Sequence, residues 1–263
     1  MSSQRIAIFG GVYSNHVALT ALLEDVQQRE IPEVYCLGDL GAFGPHPDRV
    51  FPLLRDAGVK TMQGNYDNSI GNDLSDCQCG YTDPRDNYFA KLSYDYTYRH
   101  TSAENKRWMR ELPDRFEFKL GARRVRLCHG SPRKMNEFLW ETTTSTAFLE
   151  RLCDETKADI IIATHTGLHW HRELPSGRHF VNCGVIGRPP NDGRTSVYYT
   201  VLTVDELGAT VVEFVPLAYD YERLAAEMRT EALPEEFVAT IETGWWTTCL
   251  EILPMKERCR GKF

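Results

Sequence analysis

Residues 33–50 read EVYCLGDLGAFGPHPDRV. The run EVYCL is β-branched and aromatic, and it stops at Gly38 with an acid, Asp39, immediately behind it. A short apolar run ended by glycine predicts a strand that turns sharply and presents the next side chain at its carboxyl end. The same junction recurs three more times: VKTMQ runs into Gly64-Asn65, RRVRLC into His129-Gly130, and DIIIA into Thr164-His165. Ligands of an open α/β sheet bind outside the carboxyl ends of its strands, so these four side chains are placed to converge. Taken singly, Asp39 reads as a helix cap, Asn65 as a turn residue and each histidine as a hydrogen-bonded polar group. Four in register favour the other reading, in which one carboxylate, one amide oxygen and two imidazoles form a ligand set for Zn, Fe or Mn.

Working outward, RIAIF, HFVNC, SVYYTVLTV and ATVVEFV add further strands. Helical patterns fall between the first few, with Leu19, Leu22, Leu23 and Val26 on one face of residues 15–30, and Val50, Leu53 and Leu54 on the next. Alternating strands and helices predict an α/β fold. The last two strands, joined by the short turn DELG, predict an antiparallel hairpin and hence a mixed sheet. Residues 68–118 break the rhythm as a polar, Tyr-rich insertion. It carries a helix that starts at a capping box, Thr101 to Glu104, and stops before Pro113. Residues 218–263 predict two short helices and a tail docked through Trp245 and Trp246 on the same domain.

The chain has 263 residues, 42% of them hydrophobic, with no Pro/Gly/Ser-rich linker, which predicts one main domain over residues 1–217. No stretch approaches the roughly 20 apolar residues of a membrane span, and the N-terminus lacks a secretory pattern. The expectation is a soluble cytoplasmic protein whose eight cysteines are reduced thiols, with no membrane partner. A net charge of −7 argues against a sequence-independent nucleic-acid surface and leaves a small molecule as the expected partner, with a homo-oligomer possible.

The motifs GDLGAFGPHPDRV (38–50), GNYD (64–67), CHGSP (128–132), ATHTG (163–167) and VNCGVIGRPPNDGRTSVYYTVL (181–202) together resemble the calcineurin-like metallophosphoesterases, in particular their compact bacterial and archaeal phosphodiesterase-like members. The resemblance covers about residues 5–215, and EFVPLAYD and LPEEF are similar to the tail of the compact members. It implies a four-layer α/β/β/α sandwich of two mixed sheets and a site with two metals bridged by Asp39 and a water. The family's first turn carries Asp-x-His, its third motif Gly-Asn-His-Asp and its fifth Gly-His-x-His. Here Gly11 and Tyr13, Tyr66, and Gly167 stand at the departing positions. Sorted by metal, every ligand exclusive to the first ion is gone, while Asp39, Asn65, His129 and His165 keep the second complete. The resemblance therefore implies a mononuclear site with one divalent or trivalent metal and a doubtful second.

Further roles follow from the same resemblance. Asp39 and Tyr66 take the catalytic positions, although a phenol with a free pKa of about 10 donates a hydrogen bond rather than a proton at neutral pH. Asn65, Arg188 and Arg194 are placed to bind the substrate phosphate, against surface ion pairing for the arginines. Tyr13, His16, His169 and His171 are possible replacement ligands, against ordinary solvated or hydrogen-bonded roles. Cys183 reads as a buried thiol, Cys77-x-Cys79 as a loop, and Tyr81, Tyr88, Tyr94, Tyr96, Tyr98 and His100 as a substrate roof or the core of a small cap. The leading expectation is a phosphatase or phosphodiesterase. The alternatives are a catalytically inactive homologue that binds a phosphorylated ligand or partner, and a mononuclear iron site with non-hydrolytic chemistry.

Overall fold

A computed structural model describes residues 3–259, so Met1, Ser2 and the last four residues of the expected tail lie outside the described residues. Two five-stranded sheets face each other. In the first, β1 (Ser3–Phe9) pairs in parallel with β2 (Glu33–Cys36), which pairs in parallel with β3 (Lys60–Thr61). On the other side of β1 lie β9 (Val197–Asp205) and β10 (Thr210–Leu217), an antiparallel hairpin whose β9 is also antiparallel to β1. The second sheet has the order β4 (Phe116–Leu120), β5 (Arg123–Leu127), β6 (Ile160–Ala163), β8 (His179–Cys183), β7 (His169–Glu173). Its β5, β6 and β8 are parallel, and its two edge strands are antiparallel.

Strand alternation sorts side chains into layers. Ile6 and Ile8 of β1 point into the core between the sheets with Leu37, Leu127, Ile160, Ile162, Val181 and Leu202. Ala7 and Phe9 point the other way, toward Leu19, Leu22 and Val26 of α1 (His16–Gln28) and Phe51 and Leu54 of α2 (Val50–Asp56). On the outer face of the second sheet, Ile161, Ala163 and Phe180 pack on Leu149, Leu152 and Cys153 of α6 (Thr146–Thr156). The order helix, sheet, sheet, helix is the expected four-layer sandwich. The C-terminal α7 (Tyr221–Thr230) and α8 (Glu235–Thr243) share a cluster with Val17, Phe89 and Tyr96, and α9 (Met255–Arg258) follows them.

The structure corrects several expectations. Residues 84–100 form a 17-residue helix, α4, where the sequence suggested only a polar insertion; Asp83 caps it and Pro84 opens it. After α3 (Asn65–Gly71) and α4, α5 runs from Ala103 to Glu111, one residue later than the capping box implies. Thr101 spends its hydroxyl on the Thr97 carbonyl at the end of α4 (2.7 Å), so Ser102 caps α5 by accepting from Asn105 N–H. The strand β4 lies at the edge of the insertion, and β7 carries His169 and His171, in a stretch that the sequence assigns to no strand. The expectation of eight reduced thiols also fails, because Cys77 and Cys79 form a disulfide. The other six cysteines are free, and five of them are buried.

Candidate metal centre

Each parallel strand delivers its side chain at the carboxyl end. Beyond β2, Gly38 (φ +87°) turns the chain and Asp39 follows in the left-handed region (φ +58°). Gly38 is required by a close approach, since a Cβ there would lie 2.0 Å from the Gly64 nitrogen. Gly64 is equally constrained, as its Cβ would meet Asp39 Oδ1 at 2.3 Å and His129 Cε1 at 2.7 Å. Asn65 opens α3 directly behind it, His129 follows β5, and His165 follows β6, also left-handed (φ +68°). Two non-glycine residues in this conformation at one site mark backbone strain held by the surroundings.

The four side chains meet. His129 Nδ1 donates to the Leu37 carbonyl (2.6 Å), which fixes the ring so that Nε2 faces inward. That nitrogen lies 3.2 Å from Asp39 Oδ2, 3.1 Å from Asn65 Oδ1 and 3.2 Å from His165 Nδ1. The Asn65 amide is oriented from the opposite end, its Nδ2 donating to the Cys77 carbonyl (2.8 Å) and lying 3.4 Å from Cys79 Sγ. The disulfide loop therefore turns the amide oxygen toward the imidazoles. Ligand atoms of Asp39, His129 and His165 all lie within 4.8 Å of one another, the one such His/Cys/Asp/Glu group among the described residues. Among the described residues His165 Nε2 is buried without a hydrogen-bond partner, and the Cys79 backbone lies close enough to the ring to raise its pKa slightly against the lowering by burial. A carboxylate, an amide oxygen and two imidazoles at these distances suit a divalent transition metal.

Burial sets the electrostatics. Exposure is 4% for Asp39, 3% for Asn65, 2% for His129 and 8% for His165. Burial and the neighbouring His129 push the His165 pKa down to about 3, so its imidazole is neutral and ready to ligate. Burial opposes the charged forms of Asp39 and His129, but their mutual attraction and hydrogen bond override it, lowering the first and raising the second. Phe138 covers the centre from outside, its ring centroid 4.2 Å from that of His165. Next to His129 opens a cleft lined also by Asp114, Arg115, Arg126, Ser131, Arg133 and Lys134.

Other candidates fall elsewhere. The Tyr66 hydroxyl bonds to Ser93 Oγ (3.0 Å), and only its backbone N–H reaches Asp39 Oδ1 (3.1 Å). Burial raises its pKa far above the usual phenol value, so the catalytic part of Tyr66 available to the site is its backbone. Tyr13 packs edge-on to Phe43 (5.2 Å), and burial raises its pKa as well, which disfavours a phenolate ligand. His16 pairs with Glu227 (3.3 Å), the His169 ring lies tilted against that of Tyr198 (centroids 4.3 Å apart), and His171 Nε2 lies against His179 Nδ1 (3.0 Å), so none joins the metal group. Arg188 is buried, whereas Arg194 is exposed with its backbone against Gly244. Cys183 is buried in the core between the sheets, and burial raises its pKa. Trp246 is buried, its indole donating to the Pro189 carbonyl (2.6 Å). Sequence reasoning missed Asp67, whose signal was an acid at the third position of α3, where it accepts from the Gly64 N–H at the helix cap (2.8 Å).

A family profile described as the calcineurin-like phosphoesterase superfamily domain matches residues 5–207. An uncharacterized protein of Methanocaldococcus jannaschii is 23% identical over 251 residues, covering 89% of this chain and 96% of the relative. The crystal structure of a hypothetical protein from Pyrococcus horikoshii OT3 superposes with a TM-score of 0.77 at 23% identity, covering 92% of this chain and 99% of that one. A metallophosphoesterase from Sphaerobacter thermophilus gives 0.69 at 24% identity, with 92% and 100% covered. The two crystal structures share the fold of this chain.

Proposed function

The chain belongs to the calcineurin-like phosphoesterase superfamily, and from that premise we propose that it is a phosphatase or phosphodiesterase acting on a small phosphorylated molecule in the cytoplasm. The reaction would run through a single metal, Fe, Mn or Zn, held by Asp39, Asn65, His129 and His165. The observation that carries this reading is the convergence of Asp39 Oδ2, Asn65 Oδ1, His129 Nε2 and His165 Nδ1, with the His129 ring and the Asn65 amide locked in orientation by backbone carbonyls. A bound divalent ion supplies Lewis acidity toward a phosphoryl oxygen and makes water nucleophilic at neutral pH. The chain's own groups do the rest. Asp39 contributes the negative charge that holds the cation, His165 offers a neutral imidazole, His129 would offer Nε2 on losing the proton it shares with Asp39, and Asn65 offers an oxygen fixed by the disulfide loop. The Tyr66 phenol is bonded to Ser93, so that side chain is not placed to protonate the leaving group. The cleft beside His129 offers Lys134 to an anionic substrate, while its arginines Arg115, Arg126 and Arg133 are ion-paired with Asp114, Glu117 and Glu137.

Metal analysis of protein purified without chelator tests the proposal, together with turnover of generic phosphomonoesters and phosphodiesters. About one metal per chain is expected, lost together with activity in His129→Ala and His165→Ala. Activity that requires two equivalents would end the mononuclear reading. Absence of both metal and turnover would favour the binding-only homologue, a reading supported by the near-complete burial of the four ligands.

A further inference from the structure

Of the positions at which the first metal would find its ligands, Tyr13 and Gly167 lie against one side chain, Arg188, and Gly11 lies against Tyr13. Its guanidinium carbon lies 3.4 Å from the ring centroid of Trp246, 4.9 Å from that of Phe43 and 5.8 Å from that of Tyr13. A Cβ on Gly167 would come within 3.6 Å of Arg188 Nη2 and 2.8 Å of the Trp246 ring. One on Gly11 would run into the Tyr13 ring at 2.8 Å, and one on Gly187 would meet Tyr13 Cβ at 2.3 Å. The loop that carries Arg188 is zipped to the first turn by Ile186 N–H to the Gly10 carbonyl (3.2 Å) and Gly187 N–H to the Gly11 carbonyl (2.8 Å). Tyr13 N–H in turn donates to the Asp39 carbonyl (3.1 Å), and the Tyr13 phenol senses the charges of both Arg188 and Asp39. The space is thus filled by a cation and its aromatic cage, and a side chain at position 167 would collide with the Trp246 ring of that cage.

Arg188 is 5% exposed, and among the described residues its guanidinium makes neither a hydrogen bond nor an ion pair. Aromatic faces offset only part of the cost of burying such a charge. A guanidinium stacked flat on an indole keeps its in-plane N–H fork free, which is the geometry that binds a phosphate oxygen pair. We propose that Arg188, caged by Tyr13, Phe43 and Trp246, stands in for the first metal ion and is a binding site for a phosphoryl oxyanion beside the Asp39 centre. The choice of a phosphoryl group rests on the proposed function, while the anion site itself rests on the unpaired guanidinium.

Titration calorimetry with inorganic phosphate on the metal-loaded protein tests this, comparing wild type with Arg188→Met and Arg188→Lys. The Met variant is expected to bind phosphate at least about ten-fold more weakly with its metal content unchanged, and the Lys variant to fall between. Thermal unfolding of each variant checks that the fold persists. Should the Met variant not fold, the Lys variant decides, and an affinity equal to wild type would overturn the proposal. It is likewise overturned if Arg188→Met binds phosphate as wild type does, or if wild type binds none. Phosphate binding that depends on Arg188 in a protein without turnover would retain the inference and remove the hydrolase reading; turnover with phosphate affinity indifferent to Arg188 would do the reverse.

Discussion

Asp67 accepts hydrogen bonds from the backbone N–H groups of Asp39 (2.6 Å), Leu40 (3.0 Å) and Gly64 (2.8 Å). These bonds pin the turn in which Asp39 is left-handed, so Asp67 positions a ligand without ligating. Burial and the Asp39 charge push the Asp67 pKa up to about 7, and the three N–H donors pull against that rise. Asp67→Ala would leave three buried donors unpaired at about 1–3 kcal/mol each, so a loss of about 3 kcal/mol or more is expected in urea unfolding. Metal affinity should drop by about 10- to 100-fold with it, as for other groups that orient ligands. A variant with wild-type midpoint and wild-type affinity would mean that the Asp39 turn holds itself.

At the level of elements, legibility tracked how much of the pattern was local. The strands β1, β2, β6 and the β9–β10 hairpin announce themselves by dense β-branched runs, and the residues following β2, β3, β5 and β6 could be listed as ligands because strand ends fix their place. The strand β7 has the sequence HWHRE with only Trp170 buried, and it exists because β8 pairs with it, a contact no window of sequence contains. Asp67 escaped for a related reason, since it acts on backbone atoms 28 residues away. The β7–β8 pairing also sets His171 Nε2 3.0 Å from His179 Nδ1, and burial lowers both pKa values. His179 is lowered further by His171, while Glu173 pulls both upward and Arg123 pulls His179 down. For a lowered imidazole the folded state binds fewer protons than the unfolded one below about pH 6.5. The stability these groups contribute is therefore complete above that pH and lost as pH falls through it. The denaturant midpoint of wild type should fall more between pH 7.5 and 5.5 than that of a His171→Gln/His179→Gln variant. Equal pH slopes would show that the pair titrates alike in both states.

Across the whole molecule, the metal centre joins two sheets that otherwise touch mainly through apolar side chains. Asp39 and Asn65 leave the first sheet, whereas His129 and His165 leave the second, and His129 reaches back to Leu37 of the first. An ion held by all four would cross-link the layers in the native state and find no such set in the unfolded chain. Its binding energy then adds to global stability rather than to one loop. At a free metal concentration one hundred times the dissociation constant the gain is about 2.7 kcal/mol. For a chain of this size that corresponds to a rise in Tm of roughly 5–10 °C. Calorimetry with and without added Zn or Mn should show that rise in wild type as a shift of the whole transition. His129→Ala and His165→Ala should show little or none. The two variants probe two strands of the second sheet, and Asp39→Ala, from the first sheet, must lose the shift as well if the ion is shared across the interface. A shift that survives in any of these variants, or one confined to a minor early transition, would place the metal elsewhere or make it a local clamp.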